Sequence, residues 1–291
     1  MTFWELTILA SPETSEGLAN FIWELGALGV VEEEQDGAPP RLRGFFADTA
    51  CAATLAAAVS NYCASLSDLG FSVAGVTPTV APLPEEAWAQ AWRQSFPPRP
   101  VGHRLLVAPP WEVSVPQDGR QLVIIKPGRA FGTGNHESTQ GCLLLLDSFL
   151  ETHRVTHAVD IGTGTGILAV AALLLGVSEV TALDTDPDAL REAQENAERN
   201  GVGQRVSCRL AGPDGLHGCF ALLLANLLAG SHVGFASHYR RLAASSGSLI
   251  VGGLLSEEEP SVVEALTAHG FVPKERVELE GWVSLRLTAA Q

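Results

Sequence analysis

The sequence predicts an α/β protein in two parts, a small α+β sandwich followed by a larger parallel sheet with helices on both faces. Three observations carry that reading. The first eighty or so residues run strand, helix, strand, strand, helix, strand. From His157 onward, strands and helices alternate regularly. At Asp160–Gly166 a strand passes into a helix through a turn of closely spaced glycines. At 291 residues the chain is long enough to bury two cores.

In the first part, Phe3–Leu9 reads as a strand, Ser15–Leu25 has helical spacing, and Gly29–Glu34 is a short strand. After the turn signal Asp36-Gly-Ala-Pro-Pro40, a strand is expected at Arg43–Ala47. The alanine-rich Cys51–Leu66 is helical, and Phe71–Thr79 returns as a strand. This βαββαβ order is that of a ferredoxin-like sandwich, closed by Pro82 and Pro84, which sets a domain over residues 1–82. Over residues 83–98, Trp88, Trp92 and Phe96 recur every four positions. That spacing puts three rings on one face of a linker helix, a stripe suited to docking more than to stacking on a ligand.

The second domain covers residues 99–291. Strands are expected at Leu105–Ala108 and Leu122–Ile125, then a glycine-punctuated loop over Pro127–Thr139 and an apolar helix at Cys142–Leu150. Further strands fall at His157–Ile161, Glu179–Leu183, Val206–Leu210, Ala221–Ala225 and Ser248–Gly252. The chain closes with a hairpin, Val272–Leu279 and Trp282–Leu287 around Glu280-Gly281. The larger domain is therefore expected to be Rossmann-like.

Acidic side chains outnumber basic ones 33 to 18, for a net charge of −15. Such a surface repels phosphate backbones, so direct binding to DNA or RNA is not expected, whereas a basic partner would be attracted. The five cysteines form no CxxC pair and share no metal-ligand spacing with the eight histidines, so buried reduced thiols are expected, with no metal. The longest apolar run, Ile167–Val177, is too short to span a bilayer, and the first residues carry no basic leader. The expected location is the cytoplasm, with no membrane association.

Candidate chemistry begins at Val159-Asp-Ile-Gly-Thr-Gly-Thr-Gly-Ile167. Gly162 and Gly164 let backbone approach a ligand, and the helix that follows presents free N–H groups. Asp160 stands two residues before the first glycine, where a carboxylate can meet a cationic amino group. S-Adenosyl-L-methionine has such a group and NAD lacks one. Asp184 ends the next strand, where an acid accepts hydrogen bonds from both ribose hydroxyls of either cofactor. Asp186, followed by Pro187 and later Gly201, reads instead as a helix N-cap. Asn226 follows the fourth strand, at the carboxyl edge where open α/β sheets bind ligands; its carbonyl can accept from an amine while its NH2 donates.

Together, Phe131-Gly-Thr-Gly-Asn-His-Glu-Ser-Thr139, Asp160-Ile-Gly-Thr-Gly-Thr-Gly166, Asp184-Thr-Asp-Pro187 and Ala225-Asn-Leu-Leu-Ala229 resemble the bacterial methyltransferases of ribosomal large-subunit protein eleven. The stretches Trp88–Pro97 and Pro109-Pro-Trp111 do so too. The resemblance implies a seven-stranded class I methyltransferase domain behind a ferredoxin-like domain that recruits substrate. It also implies S-adenosyl-L-methionine as cofactor and, as substrate, lysine side-chain and N-terminal amines of a basic ribosomal protein. Thr139, Gly162, Asp184 and Asn226 match the family's cofactor contacts, and Phe131 and His136 fall in the loop that closes over the methionine end. The chain departs from the family at Lys126, where an acid is usual, at Ser138 for threonine, and at Thr163 and Thr165 for cysteine and serine.

Within that reading the enzyme aligns an amine with an already activated methyl group. Release of the amine proton to water is expected, with His136 the alternative base. A monomer is expected. Rival readings are a methyltransferase of another protein lysine, a small molecule or a nucleic acid, a non-catalytic S-adenosyl-L-methionine-binding protein, and an NAD oxidoreductase.

Overall fold

The computed structural model describes residues 2–35, 38–47, 50–68, 70–73, 76–84, 96–113, 116, 118–128 and 132–290. Contacts divide the chain into two units, Met1–Phe96 and Pro97–Gln291.

In the first unit, alternation along β1 (Thr2–Leu9) buries Leu6 and Ile8 and leaves Leu9 outside. The chain continues through α1 (Pro12–Glu24), β2 (Gly29–Gln35), β3 (Ala38–Phe46), α2 (Ala52–Asp68) and β4 (Thr79–Pro84). The strands form an antiparallel sheet of order β2-β3-β1-β4, as in a ferredoxin-like fold. Leu6, Ile8, Leu42 and Phe46 of the sheet meet Leu18, Ile22, Leu55 and Val59 of the helices.

The last strand lies at Thr79–Pro84, not at Phe71–Thr79, so Pro82 and Pro84 sit inside it instead of ending it. They are tolerated because β4 pairs only with β1, with Pro82 opposite Trp4 and Pro84 opposite Thr2. An edge strand survives the loss of a ladder N–H. β3 likewise starts before Arg43, its prolines falling where the β2–β3 register shifts. Of the expected linker helix, residues 85–95, with Trp88 and Trp92, lie outside the described residues.

The second unit opens with a three-stranded sheet, β5 (Arg99–Val101), β6 (Leu105–Ala108) and β7 (Gln121–Ile124). Helix α3 (Glu137–Thr152) is longer than expected and begins within the motif loop. There follow β8 (His157–Ile161), α4 (Ile167–Leu174), β9 (Glu179–Asp184), α5 (Pro187–Arg199), β10 (Val206–Leu210), β11 (Phe220–Asn226), α6 (Ala229–Leu242), β12 (Ala243–Leu255), α7 (Glu259–Ala268), β13 (Phe271–Leu279) and β14 (Trp282–Ala289). The seven-stranded sheet has the order β10-β9-β8-β11-β12-β14-β13. β8 to β12 are parallel, and the β13–β14 hairpin joins antiparallel. Leu222 and Leu224 feed one core and Leu223 and Ala225 the other, so both faces of β11 are covered.

Cys63 and Cys142 are buried as expected, but Cys208 is half-buried and Cys51 and Cys219 are exposed; all five are free. Among the described residues no helix is long and apolar enough to cross a membrane.

Within the second unit, one buried carboxylate ties the β5–β6 turn to α3. Asp147 of α3 accepts the N–H groups of His103 (2.8 Å) and Arg104 (3.3 Å) and the Arg104 Nε (2.6 Å), and Arg104 also donates to the Asp147 carbonyl. Removing the carboxylate strands three donors. Arg104 remains about a third exposed, so Asp147→Ala is expected to cost about 2–3 kcal/mol, below the range for a fully buried pair. Urea unfolding, with the m-value unchanged, checks this.

Candidate active site

The site is built where β8, β9 and β11 end. After Ile161 the chain must turn sharply into α4, and Gly162 takes a φ of +71°, favoured only by glycine. A Cβ there would strike Leu227. The N–H groups of Gly162 and Thr163 both donate to the Leu183 carbonyl, at 2.9 and 2.8 Å, which ties the turn to the end of β9. Gly164 N–H donates to Asp184 Oδ2 and Asp186 N–H to Asp184 Oδ1, each at 3.0 Å. Asp184 is thus held at the strand end, and each oxygen keeps a lone pair for a further donor. Asp186 caps α5 by accepting the Asp188 N–H at 2.8 Å, as its place before Pro187 suggested.

Asp160 is buried, and its Oδ2 accepts the Thr163 hydroxyl at 2.7 Å. Its Oδ1 has no hydrogen-bond partner among the described residues. Burial pushes the carboxyl up to about 7, against the Thr163 hydroxyl and the Ala169 N–H, with the Asp184 charge adding to the rise. A cation beside Oδ1 would reverse that balance.

Asn226 ends β11, and its Nδ2 donates to Thr139 Oγ1 at 3.2 Å across 87 residues of sequence. Thr139 is fully buried in the first turn of α3. Asn226 Oδ1 is also buried without a partner among the described residues. His136, the candidate base, is the N-cap of α3: Nδ1 accepts the Ser138 N–H and pairs with Ser138 Oγ at 2.8 Å. Its ring stands edge-on to Trp282, with centroids 4.6 Å apart. Phe131 lies outside the described residues.

Three supporting roles escaped the sequence reading. Thr165 Oγ1 donates to the Gly132 carbonyl at 2.6 Å, holding the motif loop on the glycine turn. Asn196, buried on α5, accepts the Lys126 N–H and donates to the Thr165 carbonyl, so the base of the same loop is held as well. Lys126 keeps its side chain exposed, and its backbone N–H does the anchoring. Leu210 is 61% exposed beside Asp184, its partner in the β9–β10 register. An exposed leucine at a strand end is a sequence cue only once the strand order is known.

The donor set suits S-adenosyl-L-methionine. Two buried oxygens without donors among the described residues, Asp160 Oδ1 and Asn226 Oδ1, lie at the same strand-end edge as the Asp184 carboxylate and a glycine turn too tight for a Cβ. Among the described residues no group of His, Cys, Asp or Glu could hold a metal ion. The sequence profile of the family described as ribosomal protein L11 methyltransferase (PrmA) matches residues 2–290. The chain belongs to the ribosomal protein L11 methyltransferase family.

A relative from Trichlorobacter lovleyi, named ribosomal protein L11 methyltransferase, is 34% identical over 94% of this chain and 92% of its own. One of the same name from Geobacter metallireducens is 35% identical over 94% of each. The crystal structure of a ribosomal protein L11 methylase from Lactobacillus delbrueckii subsp. bulgaricus aligns with a TM-score of 0.60 at 26% identity, over 66% of this chain and 97% of that one. This member of the PrmA family is a methyltransferase, and S-adenosyl-L-methionine is its methyl donor.

Asp160 generates a prediction with two opposed parts. Its folded pKa lies above the unfolded value, so its contribution to stability is complete below about pH 4 and is lost as pH rises through about 7. Asp160→Asn is therefore expected to melt above the parent protein at pH 8, with the gap closing toward pH 4. The same variant should bind S-adenosyl-L-methionine more weakly at pH 8. Calorimetric melting and cofactor titration at both pH values check the pair; weaker melting at pH 8 contradicts the account.

Proposed function

We propose that the enzyme transfers methyl groups from S-adenosyl-L-methionine to lysine side-chain and N-terminal amines of ribosomal protein L11. The observation that carries this reading is Asn226, whose carbonyl oxygen is buried without a donor among the described residues at the carboxyl edge of the sheet while its NH2 is held by Thr139. A neutral amine has a lone pair for the methyl group and N–H bonds to give, and Asn226 Oδ1 accepts one of the latter. The names of the relatives supply the substrate class.

When bound, S-adenosyl-L-methionine supplies an activated methyl for in-line displacement by the amine nitrogen, which then sheds its proton. The chain's residues hold the partners. Asp184 takes the ribose hydroxyls, Leu210 offers an apolar surface to the base, and Asp160 Oδ1 faces the methionine ammonium. Gly162 and Gly164 bring backbone against the methionine portion, and Thr139 fixes Asn226. Alignment of this kind contributes up to roughly 7–11 kcal/mol toward a barrier. His136 serves by capping α3, and water accepts the proton. The net charge of −15 favours a basic substrate over nucleic acid. The enzyme works as a monomer in the cytoplasm.

Incubation of recombinant L11 with tritiated S-adenosyl-L-methionine, followed by mass spectrometry of the product, tests the activity. Asn226→Ala is expected to lower kcat roughly 10–100-fold while the cofactor Kd stays within about threefold. An unchanged kcat with a raised Kd makes Asn226 a binding residue only.

The division of labour is tested by truncation. The cores of the second unit draw only on residues beyond Pro97, so a chain of residues 97–291 is expected to fold and bind cofactor. It should methylate intact L11 poorly, because the first domain raises the local concentration of substrate amines. Full activity of the truncated chain removes the recruiting role.

A further inference from the structure

Strand β12 is interrupted where it passes the site. Its antiparallel register with β14 shifts between Val251 and Leu254, so Gly252 and Gly253 form a bulge. Gly253 has a φ of +79°, and a Cβ on it would strike the Leu227 carbonyl. Gly252 lies opposite Asn226 in the β11–β12 register. A Cβ on either glycine would lie 3.1–3.2 Å from Asn226 Oδ1. The bulge is thus the floor under the Asn226 amide.

A bulged strand loses ladder partners, and the Gly252 carbonyl takes two others. One is the Leu227 N–H at 3.2 Å. The other is His232 Nε2, which must donate at 2.9 Å because its partner is a carbonyl. That tautomer leaves Nδ1 as an acceptor, and the Tyr239 hydroxyl meets it at 3.1 Å. Both rings are fully buried, at the first and third turns of α6, among Leu223, Val251 and Leu254. Burial holds His232 neutral, its pKa pulled down to about 4. Apolar side chains would fill this space without desolvating two polar groups, so the polar pair reads as a device for geometry more than for stability.

We propose that His232, oriented by Tyr239, is a positioning residue for methyl transfer: it pins the Gly252 carbonyl, and through it the bulge and the Leu227 peptide that set Asn226. The proposal rests on Asn226 acting at the amine.

The test compares His232→Leu, His232→Gln, Tyr239→Phe and Asn226→Ala as full-length enzymes, with tritiated S-adenosyl-L-methionine and recombinant L11. His232→Leu should lower kcat about tenfold with the cofactor Kd and the L11 KM within about twofold. His232→Gln, which can still donate to Gly252, should recover most of the rate, and Tyr239→Phe should lose about threefold. Added to Asn226→Ala, His232→Leu should cost less than about twofold more, because the two act through one group. The Asn226 side-chain NH2 resonances, assigned by their absence in Asn226→Ala, should shift in His232→Leu and Tyr239→Phe and return toward wild type in His232→Gln.

A wild-type rate in His232→Leu, additive losses with Asn226→Ala, or unmoved NH2 resonances overturn the proposal. If His232→Leu does not fold, Tyr239→Phe decides alone by its rate and its NH2 resonances. A wild-type rate in Asn226→Ala refutes instead the reading of Asn226 on which the proposal rests. If the wild-type enzyme does not methylate L11, the proposed substrate falls, and the resonances still decide the positioning of Asn226.

Discussion

Parallel pairing of β8 with β11, in which Leu224 lies opposite Asp160, is the constraint on which the rest of the site depends. The chain leaves β8 toward β9 and β10 on one side of the sheet and returns to β11 on the other. At that reversal the crossovers part, which leaves a crevice at the carboxyl edge. Asp160 and Asn226, distant in sequence, come to the same edge because a parallel register repeats strand direction. Asp184 ends the neighbouring β9 on the other side of Asp160. Slipping β11 by one residue would turn Asn226 toward the opposite face, since side chains alternate along a strand.

Around this frame the site holds groups that the fold alone would not choose. One carboxyl oxygen of Asp160, Oδ1, and the amide oxygen of Asn226 are buried without donors among the described residues, and burial of such groups costs stability. A ligand with cationic and N–H groups removes that cost when it arrives. The unsatisfied acceptors are therefore a form of preorganisation, with the desolvation already accomplished before such a ligand binds.

The surrounding elements limit how far these groups can move. Thr139 reaches Asn226 from α3, and His136 caps the same helix against the edge of Trp282. Thr165 ties Gly132 to the glycine turn, and Asn196 ties Lys126 to the same turn. Behind Asn226, the Gly252–Gly253 bulge and the His232–Tyr239 pair give the strand end a fixed floor. The supports for Asn226 come from α3, β12 and α6, and Thr139 lies 87 residues from it in sequence.

Local chemistry made much of this legible beforehand. The glycine turn, the acid ending β9, the proline-backed cap at Asp186 and the amide after β11 are all set by spacing and residue type, so the sequence by itself determined the strand–helix alternation and the principal site candidates. It misled where context outweighed local preference. Pro82 and Pro84 read as terminators, yet an edge strand needs few of its N–H groups. Of His136, the alternative base, the sequence did not show that its Nδ1 caps α3. The roles of Asn196, Thr165 and His232 gave no signal, because they bond backbone groups many residues away, and Tyr239 acts only through the His232 ring. Only the tertiary structure decided which oxygens are left without donors, since a hydrogen bond is satisfied or not by what packing brings within about 3 Å.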